Sequence, residues 1–322
     1  MELEETKARK SHWLWRAIKT LFWIIVLLIV TGFSVVGYWG ETNWHLDTLS
    51  HFRLQYFAAA AGLFLLLLFF RRWVLLCFAT ALLAFNAWTV FSIPDFRELD
   101  GLPVYRAVSI NVYSGNPHIN LVIDFIKKEK PDFVALIEIK GTWRPALEAL
   151  KADYPYQEVK IWGHDFGYCL LSRYPFTDRK FGYVATGSLV REIETPSGRF
   201  VLLQAHPLSP TNEKAWKWRN QTFESLAKFA KTIDEPILLL GDMNCTPWSP
   251  NFQKFTEESG LHTPNVRWLP RRTWPNAQPF LWIPIDHFFL SDGLVAVDER
   301  VGSSVGSDHY PIVLDFAFEA KD

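Results

Sequence analysis

The residues best placed to do chemistry lie in Ile237–Ser249, which reads I-L-L-L-G-D-M-N-C-T-P-W-S. Four apolar residues predict a short strand buried on both faces. Gly241 lets the backbone turn, and Asp242 and Asn244 follow two residues apart, a spacing that puts both on one face of an extended segment. A carboxylate there takes a proton from water, and an amide holds water or an oxyanion without becoming charged. An Asp/Asn-rich turn leaving a strand is also ordinary, so the weight comes from other polar residues at strand ends. Asn111 lies in S-I-N-V, Glu138 ends F-V-A-L-I-E, and His206 ends L-L-Q-A-H-P. Asp286-His287 opens I-D-H-F-F-L-S, and Asp308-His309 lies in G-S-D-H-Y-P-I. Taken singly, Asn111, His206 and His287 read first as a turn cap and as imidazoles satisfied by carbonyls. Taken together the set has a use. Glu138 offers Mg²⁺ a hard oxygen ligand. His309, held by a carboxylate such as Asp286, stabilises a phosphorane oxygen or acts as an acid. Asp242 aligns or deprotonates the attacking water. The chemistry implied is metal-assisted hydrolysis of a phosphoester by in-line attack.

These residues need an α/β framework. Val104–Val112, Phe133–Ile137, Tyr168–Leu171 and Ile237–Leu240 read as strands. Val190–Thr195 and Phe200–Ala205 flank Pro196-Ser197-Gly198-Arg199, a hairpin turn by composition. Ile285–Leu290, Ala296–Val301 and Ile312–Phe318 are the closing strands. A helix is predicted from Asn116-Pro117, an N-cap with Pro at the first helical position, along the stripe Ile119, Val122, Ile123 and Ile126 to Pro131. A second helix presents Phe223, Leu226, Ala227, Ala230 and Ile233.

The first ninety residues have a different character. Residues 1–19 are polar and basic, with Lys7, Arg9, Lys10, Arg16 and Lys19. Three apolar runs follow at about residues 20–40, 54–70 and 73–93. The first exceeds the apolar region of a signal peptide, about 7–15 residues, and is long enough to span a bilayer, which takes about 20. The reading is three transmembrane helices rather than a buried hairpin. The N-terminus and the Arg71-Arg72 turn are basic, whereas the loop Glu41–Phe52 holds Glu41 and Asp47 and no Lys or Arg. The positive-inside rule then places the N-terminus in the cytoplasm and everything after Pro94 outside it. The expected organisation is a basic cytoplasmic N-terminus (1–19), a multi-pass inner-membrane segment (20–93), a linker (94–102) and one catalytic domain (103–322).

Asn111, I-E138, H206-P, G-D242-M-N244 and S-D308-H309, in this order around these strands, resemble the endonuclease/exonuclease/phosphatase superfamily of DNase I-like fold. The resemblance covers about residues 103–322 and implies an α/β (α+β) four-layer α/β/β/α sandwich with the site at one edge. It implies that Glu138 binds Mg²⁺ (Mn²⁺ being the alternative), with Asn111 and Asp308 near metal or phosphate. It implies that His309 and His206 contact the scissile phosphate, that Asp242 and Asn244 serve the nucleophile, and that Asp286 orients a catalytic His. Ile137 stands where the family usually has Gln before the metal-binding Glu. G-D-M-N-C-T-P-W-S, R-R-T-W-P at Arg271–Pro275 and three N-terminal spans are similar to a membrane-anchored bacterial subgroup that includes teicoplanin-resistance-type proteins, implicated with lipid-carrier phosphates. On that likeness Arg271 and Arg272 meet a substrate phosphate; a solvated basic loop is the competing reading. Trp248 and Trp274 read as packing residues.

Three functions are weighed. The first is a membrane-anchored hydrolase of a lipid-linked phosphate or pyrophosphate at the outer face, reached over a linker of about ten residues. The second is an anchored extracytoplasmic nuclease. Residues 94–322 hold 25 Lys and Arg against 29 Asp and Glu, the wrong balance for strong nonspecific nucleic-acid binding. The third is a non-catalytic binding or sensing module, which has no evident need for Asp242 and His309 together. The 3 Cys are too few and scattered for a disulfide framework or a Cys-based zinc site.

Overall fold

The computed structural model describes residues 2–94, 101–162, 166–177, 181, 184–185, 187–264, 266–269 and 271–319. Most of the expected linker, residues 95–100, lies outside them, as do the last three residues of the expected catalytic domain.

Three long helices come first: α1 (Glu2–Val36), α3 (Arg53–Phe69) and α4 (Trp73–Val90), with a short α2 (Trp44–Ser50) between the first two. α1 runs unbroken from the basic segment into the apolar one. Leu63, Leu67 and Ala79 form the small core of this bundle, with Trp23, Leu27 and Val30 packed on it. Most of the remaining surface is open and apolar: Leu28 is 64% exposed, Phe69 77% and Trp88 86%. Apolar surface so continuous is uncommon on a protein that faces only water. Trp13–Trp39 and Trp73–Val90 are each long and apolar enough to cross a membrane. The expected span 54–70 coincides with α3, which qualifies only together with α2, at a bend of 62°. The Arg71-Arg72 turn sits at one end of the bundle, where Arg72 Nη1 donates to Thr20 Oγ1 at 3.3 Å.

The rest of the chain is the expected four-layer sandwich. One sheet has six strands in the order β3 (Tyr156–Trp162), β4 (Phe166–Ser172), β2 (Phe133–Ile137), β1 (Tyr105–Asn111), β10 (Ile312–Phe318) and β9 (Leu294–Val301). The other has four: β5 (Ser188–Thr195), β6 (Gly198–Ala205), β7 (Ile237–Asp242) and β8 (Asp286–Leu290). Phe133, Leu202, Leu238, Phe288 and Phe316 pack between the sheets. α5 (Ile119–Glu129) and α6 (Arg144–Ala149) cover the larger sheet through Val122, Ile126 and Leu147. α7 (Glu213–Ala230) and α8 (Pro250–Ser259) cover the smaller through Phe223, Leu226, Phe252 and Phe255.

The differences from expectation are local. α5 begins at Ile119, because Asn116 Oδ1 accepts from the His118 N–H at 2.8 Å and closes a turn ahead of the helix. The β5–β6 hairpin turns on Pro196 and Ser197 alone, since pairing runs to Thr195 opposite Gly198. β3, α6 and α8 are additions. β3 is only partly buried and mixes Gln157, Glu158 and Lys160 into the strand, which hides its periodicity.

Candidate active site

Side-chain alternation delivers the site. In β1, Tyr105 and Ala107 point between the sheets while Val108 and Ile110 point at the helices. Asn111 continues the inward row. In β7, Leu238 and Leu240 face inward, so Asp242 does too. In β8, Phe288 and Leu290 carry Asp286 with them; in β6, Phe200 and Leu202 set the row that His206 ends. β1 pairs with β2, and β6 with β7, in parallel, so all four strands finish at one end of the sandwich. Gly241 has φ 147°, and a Cβ there would stand 1.9 Å from the Ala205 carbonyl oxygen. Only glycine allows β7 to lie so close to β6 at the point where Asp242 is presented.

Asn111 Nδ2 donates to Glu138 Oε1 at 2.9 Å and to Asp242 Oδ2 at 3.1 Å, joining carboxylates from the two sheets. Ser114 N donates to Glu138 Oε2 at 3.2 Å. His206 Nε2 stands 3.5 Å from Asp242 Oδ2 and 3.8 Å from Glu138 Oε1. On the other side His309 Nε2 is 3.7 Å from Asp242 Oδ2, and its Nδ1 is 2.9 Å from Asp286 Oδ2. Asp286 therefore meets His309. His287 turns to the opposite face of β8, with Nε2 at 2.9 Å from the Cys245 carbonyl. Tyr113, Glu138 and Asn244 all have positive φ. Left-handed backbone in non-glycine residues costs free energy and gathers at functional sites.

Burial lifts the Asp242 carboxyl, and Asp286 adds to this while His309 and His206 oppose it, leaving its pKa pushed up to about 6. Burial works against charge on His309, but the Asp286 and Asp242 carboxylates outweigh it and raise its pKa to about 10. His287, buried and near Arg271, is held down at about 4.

The remaining expected residues divide. Asp308 Oδ2 accepts from Trp274 Nε1 at 3.1 Å, beside His309. Asn244 departs from its expected place: β7 ends at Asp242, so alternation does not carry on. Its backbone N–H donates to Asp242 Oδ1 at 2.8 Å, and its side-chain Nδ2 ties down the Pro207 carbonyl at 3.0 Å, next to His206. Arg271 is mostly buried and ion-paired with Glu299, which commits its charge within the protein. Arg272 lies over the Trp282 ring, 4.9 Å from its centroid. Among the described residues, neither arginine has a hydrogen bond or ion pair with the cluster, although Asp286 favours the Arg271 charge through space. The R-R-T-W-P motif matters through its other members: Thr273 Oγ1 accepts from the N–H groups of Ile285 and Asp286, and Trp274 braces Asp308. Ser307 was also missed; its Oγ donates to the Asn111 carbonyl at 2.7 Å and accepts from His309 N at 3.0 Å.

Among the described residues, no Lys or Arg ion pair reaches Glu138, Asp242, Asp286 or Asp308. Four carboxylates offset by two imidazoles make a site of negative charge with oxygen donors, which fits a hard divalent cation. Asp242, Asp286 and His309 have ligand atoms within 4.8 Å of one another. His309 Nδ1, however, is spent on Asp286, so those three read better as a positioned imidazole than as a ligand triad. Glu138, with 23% of its side chain exposed, leaves room for a cation, and Asp308 is also only partly buried.

The back of the Asp242–Ser249 loop rests on the helical segment. Asp47, in α2, accepts from Arg219 Nη2 at 2.6 Å, from Trp216 Nε1 at 3.1 Å and from Ser249 Oγ. His51 Nδ1 lies 3.0 Å from Thr246 Oγ1, and Trp248 Nε1 donates to the Thr89 carbonyl of α4 at 3.0 Å.

Residues 108–309 match the model of the Endonuclease/Exonuclease/phosphatase family. No curated protein matches the chain in sequence. Among solved structures it is similar to an endonuclease/exonuclease/phosphatase from Beutenbergia cavernae, 19% identical over 67% of this chain and 72% of that one, with a TM-score of 0.52. D. rerio TDP2 complexed with a single strand DNA product is 17% identical, covering 66% and 98%, at 0.56. The human Nocturnin catalytic domain with bound sulfate anion is 18% identical, covering 70% and 97%, at 0.54. At these identities the likeness is one of fold.

Proposed function

The chain belongs to the endonuclease/exonuclease/phosphatase family, and from that premise we propose a membrane-anchored, divalent-metal-dependent phosphoester hydrolase acting on a lipid-linked phosphate or pyrophosphate. In this reading Glu138, Asp308 and Asn111 would hold Mg²⁺, or Mn²⁺ in its place. When bound, the cation neutralises phosphate charge and steadies the phosphorus for in-line attack. Asp242 accepts the proton of the attacking water, and its raised pKa makes it the stronger base. Asp286 fixes the His309 ring through Nδ1, leaving Nε2 to donate to a phosphoryl oxygen. His206 faces the same pocket on the opposite side of Asp242. Asn244 keeps the His206 turn in place through Pro207.

The observation that carries the lipid-linked substrate is the contact of Thr246 with His51. Thr246 is four residues from Asp242 and touches the turn between α2 and α3. Four residues span at most about 14 Å, which supports a site near the level of a lipid phosphate. We place the helices in the inner membrane as three spans, with the N-terminus cytoplasmic and the catalytic domain outside. A reporter fused after Asp322 and active only in the cytoplasm would reverse that orientation.

The second reading is an anchored nuclease, favoured by the fold likeness to TDP2 with its DNA product. The acidic balance of residues 94–322 weighs against it. Full-length protein in detergent with Mg²⁺ separates the two. Hydrolysis of a prenyl pyrophosphate or lipid phosphate over plasmid DNA supports the first reading; rapid cutting of plasmid alone supports the second. No hydrolysis of any phosphate ester by folded protein leaves a binding module.

A further inference from the structure

Residues 267–269 and 280–282 are each fastened to the end of an apolar helix. Ser92, just beyond α4, donates from its N–H to the Trp268 carbonyl at 3.3 Å and from Oγ to the Arg267 carbonyl at 3.0 Å. Gln55, in the first turn of α3, donates through Nε2 to the carbonyls of Phe280 at 3.0 Å and Trp282 at 3.3 Å. Residues 267–269 and 280–282 therefore lie at the level where α3 and α4 leave the bundle. There the segment presents four large apolar side chains to its surroundings. Trp268 is 57% exposed, Leu269 47%, Phe280 88% and Leu281 43%. Exposed apolar residues also close the neighbouring helices at this end, with Tyr38 and Trp39 after α1 and Phe91 after α4.

Scattered exposed hydrophobics need no explanation, but four on one segment, continuous with helices that need lipid around them, do. A Trp and a Phe at the ends of spanning helices are the composition of a membrane interface, where an apolar ring and a polar edge are both satisfied. Arg272, exposed above the Trp282 ring, adds a cation to the same segment, and a cation suits anionic lipid headgroups. Between the two apolar tips the segment doubles back to the site, bringing Thr273 to the Asp286 backbone and Trp274 to the Asp308 carboxylate.

We propose that Trp268, Leu269, Phe280 and Leu281 insert into the interfacial layer of the bilayer that the helices cross, making residues 267–269 and 280–282 a lipid-engaging rim beside the active site. The occupant is the lipid of the leaflet nearest the catalytic domain. This rests on reading the helices as spans, and its kinetic consequence rests on the hydrolase reading above.

The test uses full-length protein in phosphatidylcholine/phosphatidylglycerol nanodiscs. Cys77 is exposed and is replaced by Ala, while Cys169 and Cys245 are buried and stay. Phe280→Cys and Leu269→Cys are labelled with an environment-sensitive fluorophore, and Lys151→Cys, at an exposed residue, is the control. Insertion predicts blue-shifted emission at 280 and 269, quenching by lipid brominated high on the acyl chain, and shielding from aqueous iodide, none of it at 151. Iodide quenching at 280 and 269 equal to that at 151 overturns the proposal. The double variant Trp268→Ser, Phe280→Ser is then compared on a lipid phosphate in the bilayer and on soluble bis(p-nitrophenyl) phosphate. Insertion predicts about a tenfold loss on the first, a difference of about 1.4 kcal/mol, and none on the second. A loss relative to wild type that is no greater on the lipid phosphate than on the soluble diester contradicts the rim's role. Failure of the wild type on every lipid phosphate sinks the substrate reading instead, and the fluorophore result still decides insertion.

Discussion

The carboxylate of Asp47, in the short helix between two apolar helices, receives the Arg219 guanidinium of the catalytic domain at 2.6 Å, with both side chains wholly buried. A connection of this kind differs from a flexible tether. Arg219 Nη1 also reaches the Asn244 carbonyl at 3.4 Å, so the helical segment braces the loop that carries Asp242. Asp47 and His51 thus support the loop from behind, through Arg219, Ser249 and Thr246.

Removing one member of a buried, hydrogen-bonded ion pair costs about 3–5 kcal/mol, because the other is left charged and unpaired. Asp47→Ala should lower the stability of the full-length protein in detergent by that amount, read by thermal unfolding. The double variant Asp47→Leu, Arg219→Met should recover much of it. A change under about 1 kcal/mol for Asp47→Ala, on the scale of an exposed pair, would show that the contact is not made in solution.

Asp286 and His309 lie on separate strand ends and meet through a 2.9 Å contact. His309→Ala should reduce kcat by about 10²–10⁴, the usual worth of a positioned proton donor. Asp286→Asn should lower kcat with little change in KM, since the carboxylate acts on the ring and not on the substrate. Steady-state kinetics on a soluble phosphodiester measure both. An unchanged kcat in His309→Ala would remove the imidazole from the mechanism.

His287 provides a pH prediction. Its pKa is depressed to about 4 by burial and by Arg271, against 6.5 when free. The unfolded chain therefore binds the extra proton first as pH falls. The contribution is fully present above about pH 6.5 and is lost between there and about pH 4, amounting to about 3 kcal/mol. His287→Gln should flatten the acid limb of stability against pH in that window. An acid limb of the same size in the variant would assign the loss to other groups.

Much of the sandwich was legible because its strands are short apolar runs ending in polar residues. Asn111, Glu138, His206, Asp242, Asp286 and His309 could be found for that reason. Alternation then explains why four of them turn inward at one end, a consequence of parallel pairing that spacing alone does not reveal. Asn244 was misplaced because the strand ends at Asp242 and extended geometry stops with it. The pairing of Arg271 with Glu299 was not legible, because Glu299 is 28 residues away on β9 and gives no local signal. The Asp47 connection was hidden in the same way. A lone acid in a loop reads as a topology marker until Arg219, 172 residues on, is seen against it.

The most direct test of the account is metal-dependent hydrolysis by the full-length protein and its Glu138→Gln variant. Both are assayed on a lipid-linked pyrophosphate in detergent, with Mg²⁺ and again with EDTA. The account predicts turnover that EDTA abolishes and that Glu138→Gln reduces by about 10³ or more, an effect of about 4 kcal/mol on the barrier, with unfolding unchanged. Turnover that persists in EDTA, or in a folded Glu138→Gln protein at the wild-type rate, would contradict it.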